Sequence, residues 1–288
     1  MAMTDKELID KLRHDATFNP WLNKVDEFRQ GLATGIRQFV LDCNKIDEYN
    51  VRINGGPAKF CLKLEIPPQP FIGTPEANIW LLLKNPGYSD IDLYDCWGDI
   101  VQDSIVLPAD VAKNALQRRQ ELMISQFGFD QEKGKEFYLL DESFRTCIAS
   151  GKGGYGWYSR YLFPEDGLLS KFCENTTADR LAFCSRNIFV LDYHPYHSKN
   201  FCEAHSDVLV HEYWKVLVEH GLKSKKIMVF WGSKILAKVR QRFPQEYASA
   251  VNERRVFVLK GARAYFSSES LYQVADSNGE FLKPYIQV

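Results

Sequence analysis

Four short apolar runs alternate with segments of helical periodicity along the chain. The runs lie near residues 79–84, 187–192, 226–231 and 255–260. Each has the length and the aliphatic and aromatic composition of a buried strand. Strands that alternate with helices predict a parallel sheet covered on both faces. The pattern therefore predicts an α/β protein: a three-layer α/β/α sandwich with a central four-stranded, mainly parallel sheet.

Helical patterns fill the segments before and between these runs. The Thr-Asp-Lys-Glu sequence at residues 4–7 has the composition of a capping box, which predicts a short helix. Apolar residues at helical spacing from Trp21 to about Ile46 predict one longer amphipathic helix. Further helices are predicted at residues 108–127, 168–183, 206–220 and 233–243.

The chain has no internal repeat, and we expect a single domain over residues 1–288. Residues 1–66 form an N-terminal helical extension, and a proline-rich stretch at 67–70 marks an extended connection into the first strand. Residues 99–186 form a helical insertion between the first and second core strands. A chain of this length can bury a sizeable hydrophobic core.

Composition adds little to this picture. The chain is 45% hydrophobic and 25% charged, which is ordinary for a globular protein. Its net charge of −1 gives no general support for nucleic-acid binding. Lysines and arginines crowd residues 223–242 and 254–263. Such a run is as consistent with a solvated helix face as with a nucleic-acid surface.

The cysteines and the N-terminus bear on location. Seven cysteines occur without a Cys-x-x-Cys pair, and an odd count fits reduced thiols better than a disulfide framework. The polar segment 1–11 carries no signal peptide, and no apolar run reaches membrane length. We therefore expect a cytoplasmic protein. Separately, we expect a monomer that needs no cofactor.

The first apolar run ends abruptly at Asn85-Pro86-Gly87. Proline and glycine cannot extend a central strand, so the chain must turn there and expose Asn85 at the carboxyl end of the strand. Ligands bind at that end of α/β sheets. The alternative is that this tripeptide is only a good turn.

Together with the second run, this segment resembles the uracil-DNA glycosylase superfamily. The likeness is nearest to the single-strand-selective monofunctional and mismatch-specific branches, in which Asn-Pro-Gly follows the first strand. In the single-strand-selective branch, Asn-x-x-Pro ends the second strand, and Asp192 and Pro195 hold that spacing here. The resemblance implies a uracil-DNA glycosylase-like fold in which Asn85 positions the water that attacks C1′ of the nucleotide.

Asp192 departs from the pattern of that family, whose Asn reads uracil by donating to O4 and accepting from N3–H. A carboxylate is a poor partner for O4 but a good acceptor from an exocyclic amine, and a protonated carboxyl could also donate to N3. Asp192 therefore indicates a cytosine or a modified cytosine, and Asp192→Asn should shift preference toward uracil. The alternative is a strand-end carboxylate that caps a loop.

The third and fourth runs are similar to the later strands of the superfamily. Trp231 and Gly232 lead directly into a helix whose N-terminus, with Lys234, could face phosphate. The loop after the fourth strand pinches the DNA backbone in that family, although its His-Pro-Ser-Pro pattern is absent here. The resemblance implies DNA contacts by Arg263, Tyr265, Phe266, Ser267 and Ser268, with Tyr265 or Phe266 as a wedge. The alternative is a serine-rich turn with buried aromatic residues.

Two further groups could complete a site. Tyr88, Tyr94 and Trp97 follow the first motif and could stack on a flipped base, although aromatic residues more often pack in a core. A cluster of histidines and one cysteine follows Asp192: His194, His197, Cys202, His205 and His211. Its order matches no common structural zinc pattern, so we expect no metal and assign His194 to stabilising charge on the leaving base.

These inferences predict a monofunctional DNA glycosylase that hydrolyses the N-glycosidic bond of a flipped cytosine-type base and leaves an abasic site. Lys84 should point away from Asn85 by strand alternation, which disfavours a Schiff-base mechanism. Modified cytosines are typical of some bacteriophage genomes, so a role in antiviral defence is conceivable. The alternatives are uracil-DNA glycosylase activity in base-excision repair and a non-catalytic module that binds nucleic acid or protein.

Overall fold

The protein is described here from a computed structural model. The structure describes residues 3–29, 41, 43–53, 61–63, 66–87, 109–144, 153–165, 167–174, 176–198, 212–259, 265–267, 270–272 and 280–287.

A six-stranded sheet forms the centre of this part of the chain. Its strands are β1 (Phe71–Ile72), β2 (Ile79–Leu83), β3 (Ile188–Asp192), β4 (Ile227–Trp231), β5 (Val256–Leu259) and β6 (Leu271–Tyr272). They lie side by side in the order β1-β3-β2-β4-β5-β6. The four inner strands are parallel, and the two-residue edge strands β1 and β6 run antiparallel to their neighbours. The predicted α/β class and four parallel strands are confirmed, whereas β1 and β6 were not predicted.

Nine α-helices lie within the described residues. They are α1 (Asp5–His14), α2 (Leu22–Arg29), α3 (Cys43–Ile53), α4 (Ala109–Gly128), α5 (Gly153–Leu162), α6 (Thr177–Asn187), α7 (Glu212–Lys223), α8 (Ser233–Arg242) and α9 (Pro244–Asn252). Short 3-10 helices occur at Tyr138–Leu140, Glu142–Phe144, Leu169–Lys171 and Glu280–Tyr285. None of the described helices is both long enough and apolar enough to cross a membrane.

Hydrophobic cores cover both faces of the sheet. Alternate residues of β2 point to opposite faces, so Leu81 belongs to one core and Trp80 to the other. Side chains of α5 and α6 fill the first core, whereas α1, α2, α7, α8 and α9 contribute to the second. All residues of β2, β3 and β4 are buried, which explains why their sequences are continuous apolar runs.

The N-terminal extension and the insertion both pack into these cores. Leu8 of α1 and Trp21 are fully buried in the second core, and Trp21 stacks on Phe127 with ring centroids 6.0 Å apart. Tyr158 of α5 and Phe183 of α6 belong to the first core. The described parts of residues 1–66 and 99–186 therefore share the hydrophobic cores of the sheet.

The capping box and most helix positions are confirmed, but two predicted helices differ in extent. Thr4 accepts a hydrogen bond from the backbone N–H of Glu7 and caps α1 as predicted. Leu41 lies in a turn, so α2 and α3 are separate and no single helix spans residues 21–46. The helix predicted over 168–183 is also wrong, because the Thr176 side chain caps a new helix, α6, after a 3-10 turn. Helix α9 was not predicted.

Candidate active site

The strand order places a crevice at one end of the sheet. Strand β3 lies on one side of β2 and β4 lies on the other. After β3 the chain therefore crosses over β2, and the direction in which strands are added to the sheet reverses there. In open α/β sheets, ligands bind outside the carboxyl ends of strands at such a reversal. The candidate site is therefore built by the segments that follow β2, β3 and β4.

The segments after β2 and β3 are held together by backbone hydrogen bonds. The N–H of Tyr193 donates to the carbonyl of Leu83 at 2.9 Å, and the N–H of His194 donates to the carbonyl of Lys84 at 3.0 Å. The parallel ladder thus continues beyond the ends of both strands. Asn85 and His194 consequently lie in adjacent, mutually supported segments.

The side chain of Asn85 is fixed in one orientation. Its Nδ2 donates to the carbonyl oxygen of Pro86 at 2.8 Å and to Oγ of Ser198 at 2.9 Å. Because the Pro86 oxygen can only accept, the amide atom that faces it must be the nitrogen. This contact identifies the amide nitrogen of Asn85 and thereby fixes the orientation of its amide oxygen.

His197 also contacts the turn that follows β2, through the backbone of Gly87. Its Nδ1 lies 2.6 Å from the carbonyl oxygen of Gly87, so Nδ1 carries the proton in this contact. Burial lowers the pKa of His197 to about 4, although the backbone carbonyls of Gly87 and Pro67 oppose this shift. The ring is therefore neutral near pH 7 and acts here as a structural clamp.

Asp192, the last residue of β3, is the most unusual group in the structure. It is 0% exposed, and neither carboxyl oxygen has a hydrogen-bond partner of good geometry among the described residues. Burial raises the pKa of this carboxyl well above its usual range, and the Gln69 side chain offsets only part of the effect. Asp192 is therefore a neutral carboxylic acid over a range of pH in which an exposed Asp is ionised.

Two buried tyrosines, one in each core, are sensitive to the charge of Asp192. Burial raises the pKa of Tyr158 and of Tyr213 well above the usual range, and the charge of an ionised Asp192 would raise both further. The Gln69 side chain also acts on the Tyr158 hydroxyl, in the opposite direction. We call these four residues the Asp192 cluster: Asp192, Tyr158 of the first core, Tyr213 of the second core, and Gln69.

A small cavity of about 40 Å³ adjoins the Asp192 cluster through Gln69. Its wall also includes Pro67, Tyr138, Gly154 and His197. One water needs about 10–15 Å³, so the cavity has room for solvent. A pyrimidine ring is larger than this space.

His194 lies at the same edge of the sheet. Its side chain is fully buried, and its ring centroid is 5.5 Å from that of Tyr196. His194 is two residues beyond Asp192 and is paired through its backbone with Lys84, the neighbour of Asn85. The structure thus brings Asn85, Asp192 and His194 to one end of two adjacent strands.

The residues predicted to contact DNA separate into two groups. Lys234 lies exposed in the first turn of α8, after Gly232, whose φ of 104° suits a residue without a side chain. Tyr265 is 43% exposed and stacks on Tyr161 at 5.3 Å. Both side chains are accessible to a partner.

The other group is buried. Phe266 is 0% exposed within the first core, so its prediction as a wedge or DNA contact is wrong as the protein stands. The Ser267 side chain is 6% exposed and its hydroxyl donates to Oγ of Ser270, so it supports the loop from within. The alternative of a serine-rich turn with a buried aromatic residue describes these two positions correctly.

Several predicted residues lie outside the described part of the chain. They are Tyr88, Tyr94, Trp97, Arg263 and Ser268, together with Cys202, His205 and His211 of the histidine cluster. Among the residues that the structure does describe, no group of three or more His, Cys, Asp or Glu side chains could hold a metal ion.

Sequence reasoning missed several residues of the site. Gln69 and Ser198 carry no motif of their own and join the site only through folding. Tyr158 lies in the segment 151–163, whose richness in glycine and aromatic residues is conspicuous but predicts no particular function. Trp157 was missed for the same reason, and it packs on Trp231 with ring centroids 4.9 Å apart.

No family model, curated protein or solved structure matches this chain. The functional argument therefore rests on the geometry and chemistry of the site.

Proposed function

We propose that this protein is a monofunctional DNA glycosylase with a uracil-DNA glycosylase-like architecture, acting on a flipped cytosine-type base. One observation carries the proposal. An oriented Asn85 amide and a fully buried Asp192 carboxyl, whose pKa burial raises, stand at the carboxyl ends of adjacent parallel strands. A buried titratable group without a partner, placed where ligands bind, is typical of a functional site.

Asn85 would act on the nucleophile. A base inside a duplex is out of reach, so the target nucleotide is first extruded into the site. The Asn85 oxygen accepts a hydrogen bond from a water molecule and directs its oxygen at C1′ of the sugar. The new C1′–O bond forms as the C1′–N1 bond breaks, and the bonding electron pair leaves with the base. The products are an abasic site and the free base.

Asp192 would act on the leaving base. A neutral carboxyl offers a donor beside an acceptor, which matches N3 and the N4 amine of cytosine. Cytosine N3 is basic, so the Asp192 proton can move to N3 while the C1′–N1 bond breaks, and cytosine then leaves as a neutral base. The proton that the attacking water loses restores the acid form of the protein. Such proton transfer contributes about 10²–10⁴-fold to a rate.

His194 would lie near the same leaving group. It follows Asp192 by two residues and shares a backbone hydrogen bond with the Asn85 segment. A preorganised polar ring at this position would stabilise the electron density that moves onto the base as the C1′–N1 bond breaks, until the Asp192 proton has reached N3. Aromatic stacking from Tyr88, Tyr94 and Trp97 remains part of the proposal on sequence grounds.

DNA would lie across the ends of β4 and β5. Lys234 in the first turn of α8 offers a cation beside a helix N-terminus, a combination that suits phosphate. The exposed Tyr265 offers a stacking face to an adjacent base. Arg263 and Ser268 remain proposed DNA contacts on sequence grounds alone.

A neutral Asp192 also changes the sequence-based argument against uracil as the substrate. An ionised carboxylate cannot serve O4 of uracil, but a neutral carboxyl can donate to O4 and accept from N3–H. Uracil-DNA glycosylase activity in base-excision repair is therefore the second candidate. Proton transfer to a basic ring nitrogen favours cytosine, because uracil has no such nitrogen.

The wider role follows only if the base is a modified cytosine. Such bases are typical of some bacteriophage genomes, so we propose a cytoplasmic, monomeric enzyme that acts in antiviral defence. This step depends on the substrate and not on any contact in the structure.

The proposal is tested by incubating purified protein with genomic DNAs that carry unmodified cytosine, modified cytosine or uracil. Alkali-labile abasic sites are then counted. Asn85→Ala should lower their formation about 10²–10³-fold, and the matched control Asn252→Ala, on the exposed end of α9, should not.

Abasic sites in modified-cytosine DNA alone would support the leading proposal, and sites in uracil DNA alone would support repair. DNA binding without abasic sites, unchanged in Asn85→Ala, would contradict catalysis and identify a binding module.

A further inference from the structure

We infer that Trp231 is a further base-binding residue, which donates its indole N–H to the 2-oxo oxygen of the pyrimidine that Asp192 contacts at N3 and position 4. The inference rests on the proposed function. It concerns how the base is held and not how its bond to the sugar breaks.

The indole nitrogen of Trp231 is a buried donor without an acceptor. Trp231 is 4% exposed, and its Nε1 has no hydrogen-bond partner among the residues that the structure describes. Tryptophan N–H groups usually find an acceptor when they are buried, and a buried donor without one costs stability. By contrast, Nε1 of the buried Trp80 donates to the carbonyl of Ala77 at 2.8 Å. Trp231 therefore lacks an acceptor that a ligand would supply.

The sheet places Trp231 and Asp192 at the same level on one face. Asp192 lies opposite Leu83 in the pairing of β3 with β2, and Leu82 lies opposite Phe230 in the pairing of β2 with β4. Leu83 and Trp231 are the next residues of their strands, and both belong to the first core. Strand alternation turns Asp192 to this face as well. Asp192, Leu83 and Trp231 thus form a row across the carboxyl ends of three strands.

The two groups of this row that lack a partner within the described part of the chain are about one base apart. Neighbouring strands lie about 4.8 Å apart, so the backbones of Asp192 and Trp231, two strands apart, are separated by about 10 Å. A pyrimidine with a hydrogen bond of about 2.9 Å on each side spans a similar width. Leu83 lies between the two groups and offers an apolar surface to the ring. A base in this space meets Asp192 with N3 and position 4, and it meets Trp231 with the oxygen on the other side of N3.

Aromatic side chains of α5 cover this row. Trp157 is partly exposed and packs on Trp231 with ring centroids 4.9 Å apart, and Tyr161 lies edge-on to Trp231 at 6.4 Å. Trp231 therefore lies one aromatic layer below the surface, and the inference requires Trp157 to move aside when a base enters. An N–H directed at the Tyr161 ring is the alternative to a ligand, and such contacts are weak.

Nuclear magnetic resonance of protein with isotope-labelled tryptophan tests the inference without catalysis. The probes are free cytosine and free uracil, both of which carry a 2-oxo group. The indole resonance of Trp231, assigned through its backbone neighbours, should move as either base binds. The indole resonance of Trp214 is the internal control, because its N–H also has no partner among the described residues but lies in the second core. It should not move.

A pair of ligands isolates the contact. 4-Aminopyrimidine keeps N3 and the amine of cytosine but lacks the 2-oxo oxygen. Wild type should bind cytosine about fivefold or more tightly than 4-aminopyrimidine, which is the contribution of one hydrogen bond. Trp231→Phe keeps an aromatic ring and removes the donor, so this preference should fall to about twofold or less. Trp214→Phe is the matched control and should keep the preference of wild type.

An unmoved Trp231 resonance in the presence of saturating base would overturn the inference. So would an equal preference for cytosine in wild type and folded Trp231→Phe, or a failure of both bases to bind up to their solubility limits. If Trp231→Phe does not fold, the wild-type resonance and the wild-type preference decide. Base binding that moves the Trp231 resonance, in a protein that excises no base, would support the inference and overturn the proposed function alone.

Discussion

Two buried polar clusters at opposite ends of the sheet differ in how well their groups are satisfied. At the amino end of β4, Asp5 lies 2.7 Å from Nε2 of His220 and 2.6 Å from Nζ of Lys226. Nζ of Lys226 also donates to the carbonyl of Glu76 at 3.1 Å. At the carboxyl end of β3, Asp192 has no partner of good geometry among the described residues.

We interpret this contrast as the difference between a structural cluster and the proposed functional one. The Asp5 cluster joins α1 to α7 and β4 through complementary charges, which is how buried ionic groups support a fold. The Asp192 cluster costs stability, because burial penalises a polar group that makes no hydrogen bond. Proteins keep such groups mainly where a ligand completes them. We therefore expect opposite responses when the two carboxyls are removed.

Of the changes to the two carboxyls, Asp5→Ala should have the larger effect on stability. It leaves the buried Lys226 and His220 without their acid, and we expect a loss of about 2–3 kcal/mol in the free energy of unfolding. The value is below that for a wholly buried pair because the Asp5 side chain is 30% exposed. Urea denaturation measures it.

Asp10→Ala on the exposed face of α1 is the control, and its effect should stay within about 0.5 kcal/mol. Excision by folded Asp5→Ala should match that of wild type. A similar small effect of both variants would show that the Asp5 cluster does not stabilise the fold.

The second effect is a pH dependence of stability. The pKa of Asp192 is raised, so above its ordinary value of 3.8 the folded protein retains a proton that the unfolded chain has lost. The free energy of unfolding therefore falls as pH rises toward the folded pKa, by up to about 1.4 kcal/mol per pH unit. Asp192→Asn removes this slope.

The difference in the free energy of unfolding between wild type and Asp192→Asn isolates the contribution of Asp192 to the pH dependence of stability. His197 has the opposite sign between pH 6.5 and about 4, because its lowered pKa makes stability fall as pH falls. Asp5, with a lowered pKa, likewise loses its contribution only at acidic pH. Urea unfolding at several values from about pH 5 to pH 8 measures the difference. A difference that does not change with pH would mean that Asp192 is ionised.

A smaller gain in stability is expected from Asp192→Leu. Leucine has the shape of aspartate and removes a buried polar group, so the free energy of unfolding should rise by about 1 kcal/mol. Excision should be lost. Asp5→Leu, the same change in the satisfied cluster, should instead destabilise the protein. A loss of stability in Asp192→Leu would show that the carboxyl has a partner in the native state.

The smallest effect concerns the DNA surface. Tyr265→Ala should weaken binding to single-stranded DNA by about 1 kcal/mol, because one exposed stacking face is lost. The neighbouring Phe266→Ala should instead lower the free energy of unfolding by about 3–5 kcal/mol, since Phe266 fills the core. Fluorescence anisotropy and urea unfolding distinguish the two. Equal binding by Tyr265→Ala and wild type would show that Tyr265 does not contact DNA.

The fold was predictable where apolar runs were long. The four inner strands lie within one or two residues of their predicted positions, because strands buried on both faces read as continuous apolar runs. Strands β1 and β6 have two residues each, too few for any periodicity. The prediction of a helix over 168–183 was wrong because Thr176 caps the start of a new helix. The average hydrophobicity of a segment does not reveal such a local cap.

The site was predictable only where a motif marks the end of a strand. Asn85 and Asp192 follow apolar runs directly, so their positions in the crevice follow from the sequence. The pKa of Asp192 depends on its burial in the folded protein, which the sequence does not show. Gln69 reaches the site because it directly precedes β1 and continues the pairing of β1 with β3. The sequence pattern does not predict β1. Phe266 was placed on the wrong side of its loop, because a short aromatic sequence does not show which ring faces the core.

The most direct test of the account compares wild type and Asp192→Asn on DNA that carries modified cytosine or uracil. Asn keeps the neutral donor and acceptor but cannot release a proton to N3. We predict that excision of the cytosine-type base falls about 100-fold or more while excision of uracil changes little, so that preference shifts toward uracil. An unchanged rate on the cytosine-type base would contradict the claim that the buried, unpaired Asp192 serves catalysis.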